Sequence, residues 1–581
     1  MANKRDNTDA GPNNTDNTDN NDINTDTDTG NNNMVISVLS SFLKIQFGGK
    51  HKWTSLFHNG IIFPPPYEPH NIPITYDGTM VALPPLAEEY AMLYAKYLKT
   101  DYVLNKTFNK NFWNDWKKTL GSATPIESLD KCDFTEYVAK LADMKMCKSS
   151  SGSSSSNSSN DTTNATGNES DENKYKVAIV DGKEQEVANY RIEPPGIFIG
   201  RGDNPNIGKI KRRIYPEDVI INIAKNVEIP KTPENHKWKQ VIHNRRVEWI
   251  AAWNDTITGK MKYVWLGASS DFKANSDLKK FELARKLKKK IKKINAINEE
   301  NLISNNPKTR QLATALYFID KLAIRIGNEK STDEADTVGI TTLRVEHITL
   351  IDDKLEFDFL GKDSVRYHNS ITIEKIIKDN IKSFSDKKEK YEELFDLISS
   401  SDVNTYLQTF MKDLTAKVYR SYNASNIFQK ELLKINKKYC KDATATTDIL
   451  LGEYNKANIK VAKLLNHQKN INRSHKEQVD KISDMIKKQK GVLKKMKTKR
   501  SASNTSRMEK IRTRIKDLKG KKDLKEEMKN ISLGTSKENY IDPRITIAFM
   551  KKHAIPIEKL FTVKLQKKFK WAFEIDSDWV F

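Results

Sequence analysis

The sequence predicts a multidomain α+β protein, and three observations carry that prediction. Between residues 174 and 266, short aromatic and β-branched runs alternate with Gly/Pro turns, the pattern of small strands. From residue 276 onward, apolar residues recur three and four apart, the period of a helix face. Over 474–531 the chain turns lysine-rich around a narrow apolar seam, which reads as an antiparallel helical hairpin. The expected order is therefore a mixed α/β first part, a mostly helical second part, a coiled-coil hairpin and a small helical C-terminal part.

Composition narrows the function classes. The 581 residues carry a formal net charge of +23 and a pI near 9.4, which favours a polyanionic partner, nucleic acid before anionic membrane. Cys132, Cys147 and Cys440 are odd in number and widely spaced, so neither a disulfide framework nor a CxxC metal site is expected. No secretory signal opens the chain, and the longest apolar-leaning run, residues 34–43, is too short to span a bilayer.

Residues 1–33 are Asn, Asp and Thr repeats, which read as disordered because they hold too little apolar surface to offset ordering entropy. Asp26 and Asp28 have DxD spacing, but the repeat explains them. Globular composition begins near residue 45, with a proline-stiffened aromatic stretch at 63–69. Helical spacing follows over 85–99 and 105–118, where Phe112, Trp113 and Trp116 share a packing face. Residues 148–172 are a Ser/Asn-rich flexible insert.

Order resumes near Lys174. In Gly200-Arg201-Gly202 an arginine stands between glycines, which allow close backbone approach to a ligand. Alternation over 209–213 places Lys209, Lys211 and Arg213 on one strand face; phosphate contact and a solvated edge strand fit equally. A helix is expected over 276–297. Its stripe is Phe281, Leu283, Ala284, Leu287, Ile291 and Ile294, and its other faces are crowded with unopposed cations suited to phosphate binding or nuclear targeting. A second helix over 308–326 carries Arg325 near its C-terminal end. Alternation on both sides of Gly361-Lys362-Asp363-Ser364 reads as a β-hairpin with Lys362 at its turn. Helices fill 372–466. In the hairpin, Val479, Ile482, Ile486, Leu493 and Met496 face Met508, Ile511, Ile515 and Leu518 across a polar turn at 500–506.

No GxxxxGK[ST] loop and no HExxH occurs, and Asp576 and Asp578 read as a polar chain end. A dedicated metal or ATP site is not expected. What stands out is Tyr540 in Ser536-Lys537-Glu538-Asn539-Tyr540-Ile541-Asp542-Pro543-Arg544. Alone it reads as an ordinary half-buried tyrosine ahead of a nucleophile. Metal-free phosphodiester transfer needs a positioned nucleophile, cations on the non-bridging oxygens and a proton donor for the leaving oxygen. Tyrosine, arginine and lysine supply those three parts.

With Arg325, Lys362, Arg420 and His467 upstream of Tyr540, the chain resembles eukaryotic type IB DNA topoisomerases. The resemblance runs from about Trp53 to the C-terminus and is strongest over 315–330, 358–364, 415–425 and the tyrosine motif. It implies a catalytic domain of the tyrosine recombinase and type IB topoisomerase kind, preceded by a mixed α/β clamp. Implied boundaries are a tail at 1–44, a cap at 45–270, a catalytic core at 271–467, a coiled-coil linker at 468–532 and a C-terminal domain at 533–581. In the implied reaction Tyr540 becomes joined to a DNA 3′ phosphate. Arg325, Arg420 and His467 bind its non-bridging oxygens, and Lys362 protonates the leaving 5′ oxygen. Rotation and religation then relax supercoils of both signs without ATP, metal or other cofactor. Further DNA-binding candidates are Arg201, Lys211, Lys262, Lys280, Lys330, Asp363, Lys417 and Asn539. Of these, Arg201, Asp363 and Asn539 match the contacts of the family's intercalating inhibitors. Double-stranded DNA is the implied partner of a nuclear monomer active in replication and transcription, with chromatin or transcription proteins as candidate partners.

The chain departs from the family pattern in places. Its tail is acidic and neutral rather than long and basic, leaving 286–293 as a substitute import signal. The Ser/Asn insert stands where the cap has a pair of long charged helices, and Ile199 where an arginine is usual. A tyrosine recombinase would share the site type but not the long hairpin or the large preceding clamp. A non-catalytic chromatin-binding protein would not need Tyr540.

Overall fold

The computed structural model describes residues 51–150, 172–329, 335–439, 446–469, 471–472, 474–497 and 502–581. The expected tail at 1–44, the apolar run 34–43, nearly all of the 148–172 insert, Lys330 and Cys440 lie outside these residues. Residues 51–53 and 245–247 belong to one small unit, in which Trp53 Nε1 donates to the Val247 carbonyl at 2.8 Å. Residues 54–244 and 248–581 belong to the other.

The first part of the larger unit is built of small sheets. In chain order its strands are β1 (Leu56–His58), β2 (Ile74–Tyr76), β3 (Thr79–Val81), β4 (Cys132–Asp133), β5 (Val177–Val180), β6 (Lys183–Glu186), β7 (Gly196–Ile197), β8 (Ile210–Lys211), β9 (Ile220–Asn222), β10 (Gln240–Ile242), β11 (Trp249–Asn254) and β12 (Met261–Trp265). They pair as β1-β5-β6, β3-β2-β4, β7-β8 and β10-β9-β11-β12. Helices α1 (Pro85–Ala95), α2 (Lys106–Trp116) and α3 (Thr135–Ser150) accompany them. Asn105 caps α2 by accepting from the amides of Thr107 and Phe108. Phe108, Phe112 and Trp116 are buried along one face, with Trp113 against Trp116, so these aromatics are core.

One expectation over this region fails. The alternating face at 209–213 does not form, because β8 is only Ile210–Lys211. Arg213 turns inward, donating to the Pro64 and Pro65 carbonyls and pairing with Glu89 at 2.7 Å. A half-buried guanidinium with that many acceptors is structural.

The second part is dominated by helices. α4 (Asp271–Leu302) outruns the expected 276–297, because Ser270 caps it by accepting from the Lys273 amide. Ala284, Leu287 and Ile294 enter the main core as the stripe predicts, Leu283 and Ile291 pack against it, and Phe281 is buried. Its cations are not all unopposed: Lys279 pairs with Asp413, Lys280 with Asp277 and Arg285 with Glu282. α5 (Pro307–Leu322) stops short of Arg325, since Ala323 adopts φ 48° and breaks the helix. Strands β13 (Ile348–Ile351), β14 (Lys354–Gly361) and β15 (Val365–Thr372) form an antiparallel meander, with Gly361 opposite Val365 and Lys362 in the tight turn between. Helices α6 (Lys375–Ser385), α7 (Ser400–Phe410), α8 (Ala416–Tyr439) and α9 (Thr447–Leu464) follow.

The hairpin consists of α10 (His475–Lys497) and α11 (Ala502–Glu527). The second helix begins inside the expected 500–506 turn. Ile486, Ile515 and Leu518 are buried in a seam separate from the main core, flanked by Ile482, Leu493 and Ile511. At the base, Leu524, Met528 and Leu533 pack on Ile459, Ala462 and Ile531, which ties the hairpin to α9. Three short helices end the chain, α12 (Leu533–Asn539), α13 (Pro543–Lys552) and α14 (Val563–Lys568).

Candidate active site

The site grows out of α8. Arg420 is buried on this helix, and its guanidinium forks between two backbone carbonyls, Ala323 through Nη1 and Leu465 through Nη2 at 3.1 Å. Each carbonyl terminates another helix. Ala323 ends α5 and Leu465 ends α9, so each would otherwise be an orphan acceptor. Two residues beyond the first stands Arg325, and two beyond the second stands His467. Arg420 therefore staples together the chain segments that present its two partners. Asn466, at φ 54°, makes the sharp turn that points the chain back at the site.

Ser425, one and a half turns along α8, receives the C-terminal segment. Its hydroxyl donates to the Tyr540 carbonyl at 3.3 Å and accepts from the Asp542 amide at 3.0 Å. The Asp-Pro-Arg sequence then starts α13: Asp542 caps the helix, Pro543 occupies its first turn, and Arg544 pairs with both Asp542 and Glu282. Tyr540 is thus pinned at its backbone while its ring is left half-buried beside the cations. The Arg420 guanidinium carbon lies 5.0 Å from the ring centroid, and the His467 ring 5.1 Å away on centroids.

These neighbours set the electrostatics. Burial pushes the Tyr540 phenol up, but the charges of Arg420, Arg325 and Lys417 outweigh it, and the phenol lies below its ordinary value. Burial, helped by Arg420 and Arg325, lowers His467 to about 3, so its imidazole is neutral. Burial also brings Arg420 down to about 10, still charged at neutral pH. A cleft lined by Arg325, Gly361, Lys362, Tyr367, Arg420 and Asn466 opens at this point, so Lys362 joins the same site from the β14–β15 turn.

The remaining candidates divide. Arg201 is exposed and pairs with Asp363 at 2.9 Å; Gly202, at φ 59°, comes so close to Ser364 that a Cβ would sit 2.4 Å from its hydroxyl. Lys417 and Asn539 are exposed. Lys211 and Lys262 both pair with Glu193, and Lys262 also pairs with Asp255, so their ammonium groups are engaged within the protein. Lys280 is the clearest departure. Its side chain is half-buried against α12, where the ammonium meets Asp277 at 3.2 Å and donates to the Asn539 carbonyl at 3.0 Å. Lys568 donates to the neighbouring Glu538 carbonyl at 2.9 Å. Two cations thus hold the negative end of the helix that delivers Tyr540. Burial, partly offset by Asp277, lowers Lys280 to about 8.

Sequence reasoning missed several contributors. Ser425 and Ser536 lie inside motifs it singled out, but a serine carries no signal of its own partner. Gly327 and Gly339 also escaped it. A Cβ on Gly339 would lie 2.2 Å from the Gly327 nitrogen, and this close approach seats the irregular segment in which the Arg325 carbonyl accepts from the Ile340 amide.

Residues 51–266 match the family model described as "Eukaryotic DNA topoisomerase I, DNA binding fragment", residues 269–500 "Eukaryotic DNA topoisomerase I, catalytic core", and residues 512–581 "C-terminal topoisomerase domain". DNA topoisomerase 1 alpha of Arabidopsis thaliana is 41% identical over 563 residues, covering 92% of this chain and 60% of that protein. DNA topoisomerase 1 of Caenorhabditis elegans is 42% identical, covering 91% and 68%, and that of Homo sapiens 40% identical, covering 91% and 72%. This chain therefore spans between three fifths and three quarters of the length of these relatives.

Proposed function

This chain belongs to the eukaryotic DNA topoisomerase I family, and from that premise we propose that it is a type IB DNA topoisomerase acting through Tyr540. The observation that carries the reading is the placement of Arg420 and His467 against the Tyr540 ring, with the phenol lowered by cations. A phenol closer to ionisation is a better nucleophile, and the same cations match the charge that a phosphoryl group gains in the transition state.

In this mechanism the Tyr540 phenol loses its proton to water and its oxygen bonds to the DNA phosphorus as the bond to the 5′ oxygen breaks. Lys362 supplies a proton to that leaving oxygen, and Arg325, Arg420 and neutral His467 donate to the non-bridging oxygens. The product is a 3′-phosphotyrosine ester and a free 5′ hydroxyl. The duplex rotates, restrained by the α10–α11 hairpin, and attack by the 5′ hydroxyl restores the strand and releases Tyr540. The ester conserves the energy of the broken bond, so neither ATP nor a metal takes part. The catalytic core then has the tyrosine recombinase kind of fold, the exposed Arg201, Asp363, Lys417 and Asn539 lie against the duplex, and Arg201, Asp363 and Asn539 form the inhibitor pocket. The protein works on double-stranded DNA as a nuclear monomer, during replication and transcription. Among the described residues no helix is long and apolar enough to cross a membrane.

The test is supercoiled plasmid in EDTA without ATP. Wild type should relax both supercoil signs and leave a covalent adduct when trapped in detergent. Tyr540→Phe should bind DNA yet do neither. DNA binding by wild type without relaxation would reject catalysis, and an adduct on Tyr540→Phe would assign the nucleophile elsewhere.

A further inference from the structure

The His467 imidazole uses only one of its nitrogens. Nδ1 lies 2.7 Å from Ser536 Oγ, whereas Nε2 is buried with no hydrogen-bond partner among the described residues. Ser536 is fully buried and stands on α12, four residues before Tyr540. A neutral imidazole carries a single proton, and His467, lowered to about 3, is neutral. Two arrangements satisfy the contact. Either Nδ1–H donates to the serine and the Nε2 lone pair faces the site, or the serine hydroxyl donates to Nδ1 and Nε2 carries the proton. Only the second offers a donor to a phosphoryl oxygen. The first would set a lone pair against an anion.

We propose that Ser536 is a positioning residue whose hydroxyl donates to His467 Nδ1 and so keeps the imidazole proton on Nε2. The assignment rests on the reading of the site given above and deepens it. Ser536 belongs to the helix that delivers the nucleophile, while His467 follows α9. The segment that brings Tyr540 to the site also selects the histidine tautomer that serves it.

The experiment labels the full chain with 15N-histidine and identifies the His467 signals by their loss in His467→Gln. Wild type should show the Nε2–H tautomer without DNA, and Ser536→Ala a shift toward a tautomer mixture. In single-turnover cleavage of a duplex oligonucleotide, Ser536→Ala should slow the reaction about tenfold, the worth of one neutral hydrogen bond, with DNA affinity unchanged. Ser536→Thr, which keeps the hydroxyl, should restore both readouts. In the His467→Gln background Ser536→Ala should cost nothing further, because an amide side chain has no tautomer to select. An Nδ1–H tautomer in wild type would overturn the proposal, and so would unchanged cleavage by Ser536→Ala. Because the tautomer is read without any reaction, a wild type that fails to cleave refutes the reading of the site while the spectrum still judges Ser536.

Discussion

Arg420→Lys is the sharpest perturbation of this site, because it keeps the charge and removes the fork. The guanidinium satisfies the Ala323 and Leu465 carbonyls through separate nitrogens while its plane stays beside Tyr540. A single ammonium can reach one carbonyl, not both, and cannot also face a phosphate. Each hydrogen bond to a charged donor is worth about 1.5–3 kcal/mol, so the variant should lose roughly that much stability and leave one helix end unsatisfied. The larger effect falls on the reaction. Losing one preorganised donor to transition-state charge costs about 100–1,000-fold in rate. The loosened ends are also those that present Arg325 and His467. Cleavage of a duplex oligonucleotide under single-turnover conditions, quenched in detergent, reads the rate, and thermal unfolding reads the stability. DNA affinity should stay within about threefold, since one buried arginine adds little to a long phosphate interface. An Arg420→Lys protein that melts with wild type and cleaves within about threefold of it would refute the stapling argument.

Lys280→Met should leave the salt dependence of DNA binding unchanged and slow cleavage, because the ammonium holds the Asn539 carbonyl under α12; a salt slope reduced by about one would instead make Lys280 a phosphate contact. Gly339→Ala should lower stability by about 1–3 kcal/mol, since its Cβ meets Gly327 backbone atoms that cannot yield, and a melting temperature equal to wild type would contradict that packing. The buried imidazoles make stability depend on pH. His467 is lowered to about 3 and His58 to about 4, both chiefly by burial, against an ordinary 6.5. Between those values and 6.5 the unfolded chain binds more protons, so stability rises with pH across that window and levels off above it. Denaturant midpoints from pH 4.5 to 7 should climb in wild type and climb less in His467→Gln; equal slopes would show that His467 is not held neutral.

The legibility of this protein differed by feature. The β14–β15 hairpin with Lys362 at its turn, the α4 stripe and the hairpin seam were readable because period two and period three-four are local signals. Helix ends were less readable. α5 stops at Ala323 through a left-handed backbone that alanine does not announce, and α4 starts earlier than its periodicity because of a serine cap. The expected face at 209–213 dissolved once Arg213 found acceptors about 149 residues back along the chain.

By itself the sequence determined the inventory: five residues of the right chemistry in a characteristic order, a net charge suited to a polyanion, and the helices and turns that carry them. Tertiary structure alone decided how each side chain is used. Arg420 acquires its aim from carbonyls 97 and 45 residues away, and Lys280 is drawn from an open surface to a backbone oxygen 259 residues away. The physical reason is that burial and hydrogen-bond partnership arise only when distant segments pack together. A lysine in solvent and a lysine under a helix end are the same letter, but removal of water makes the second give its charge to whatever acceptor the fold places beside it.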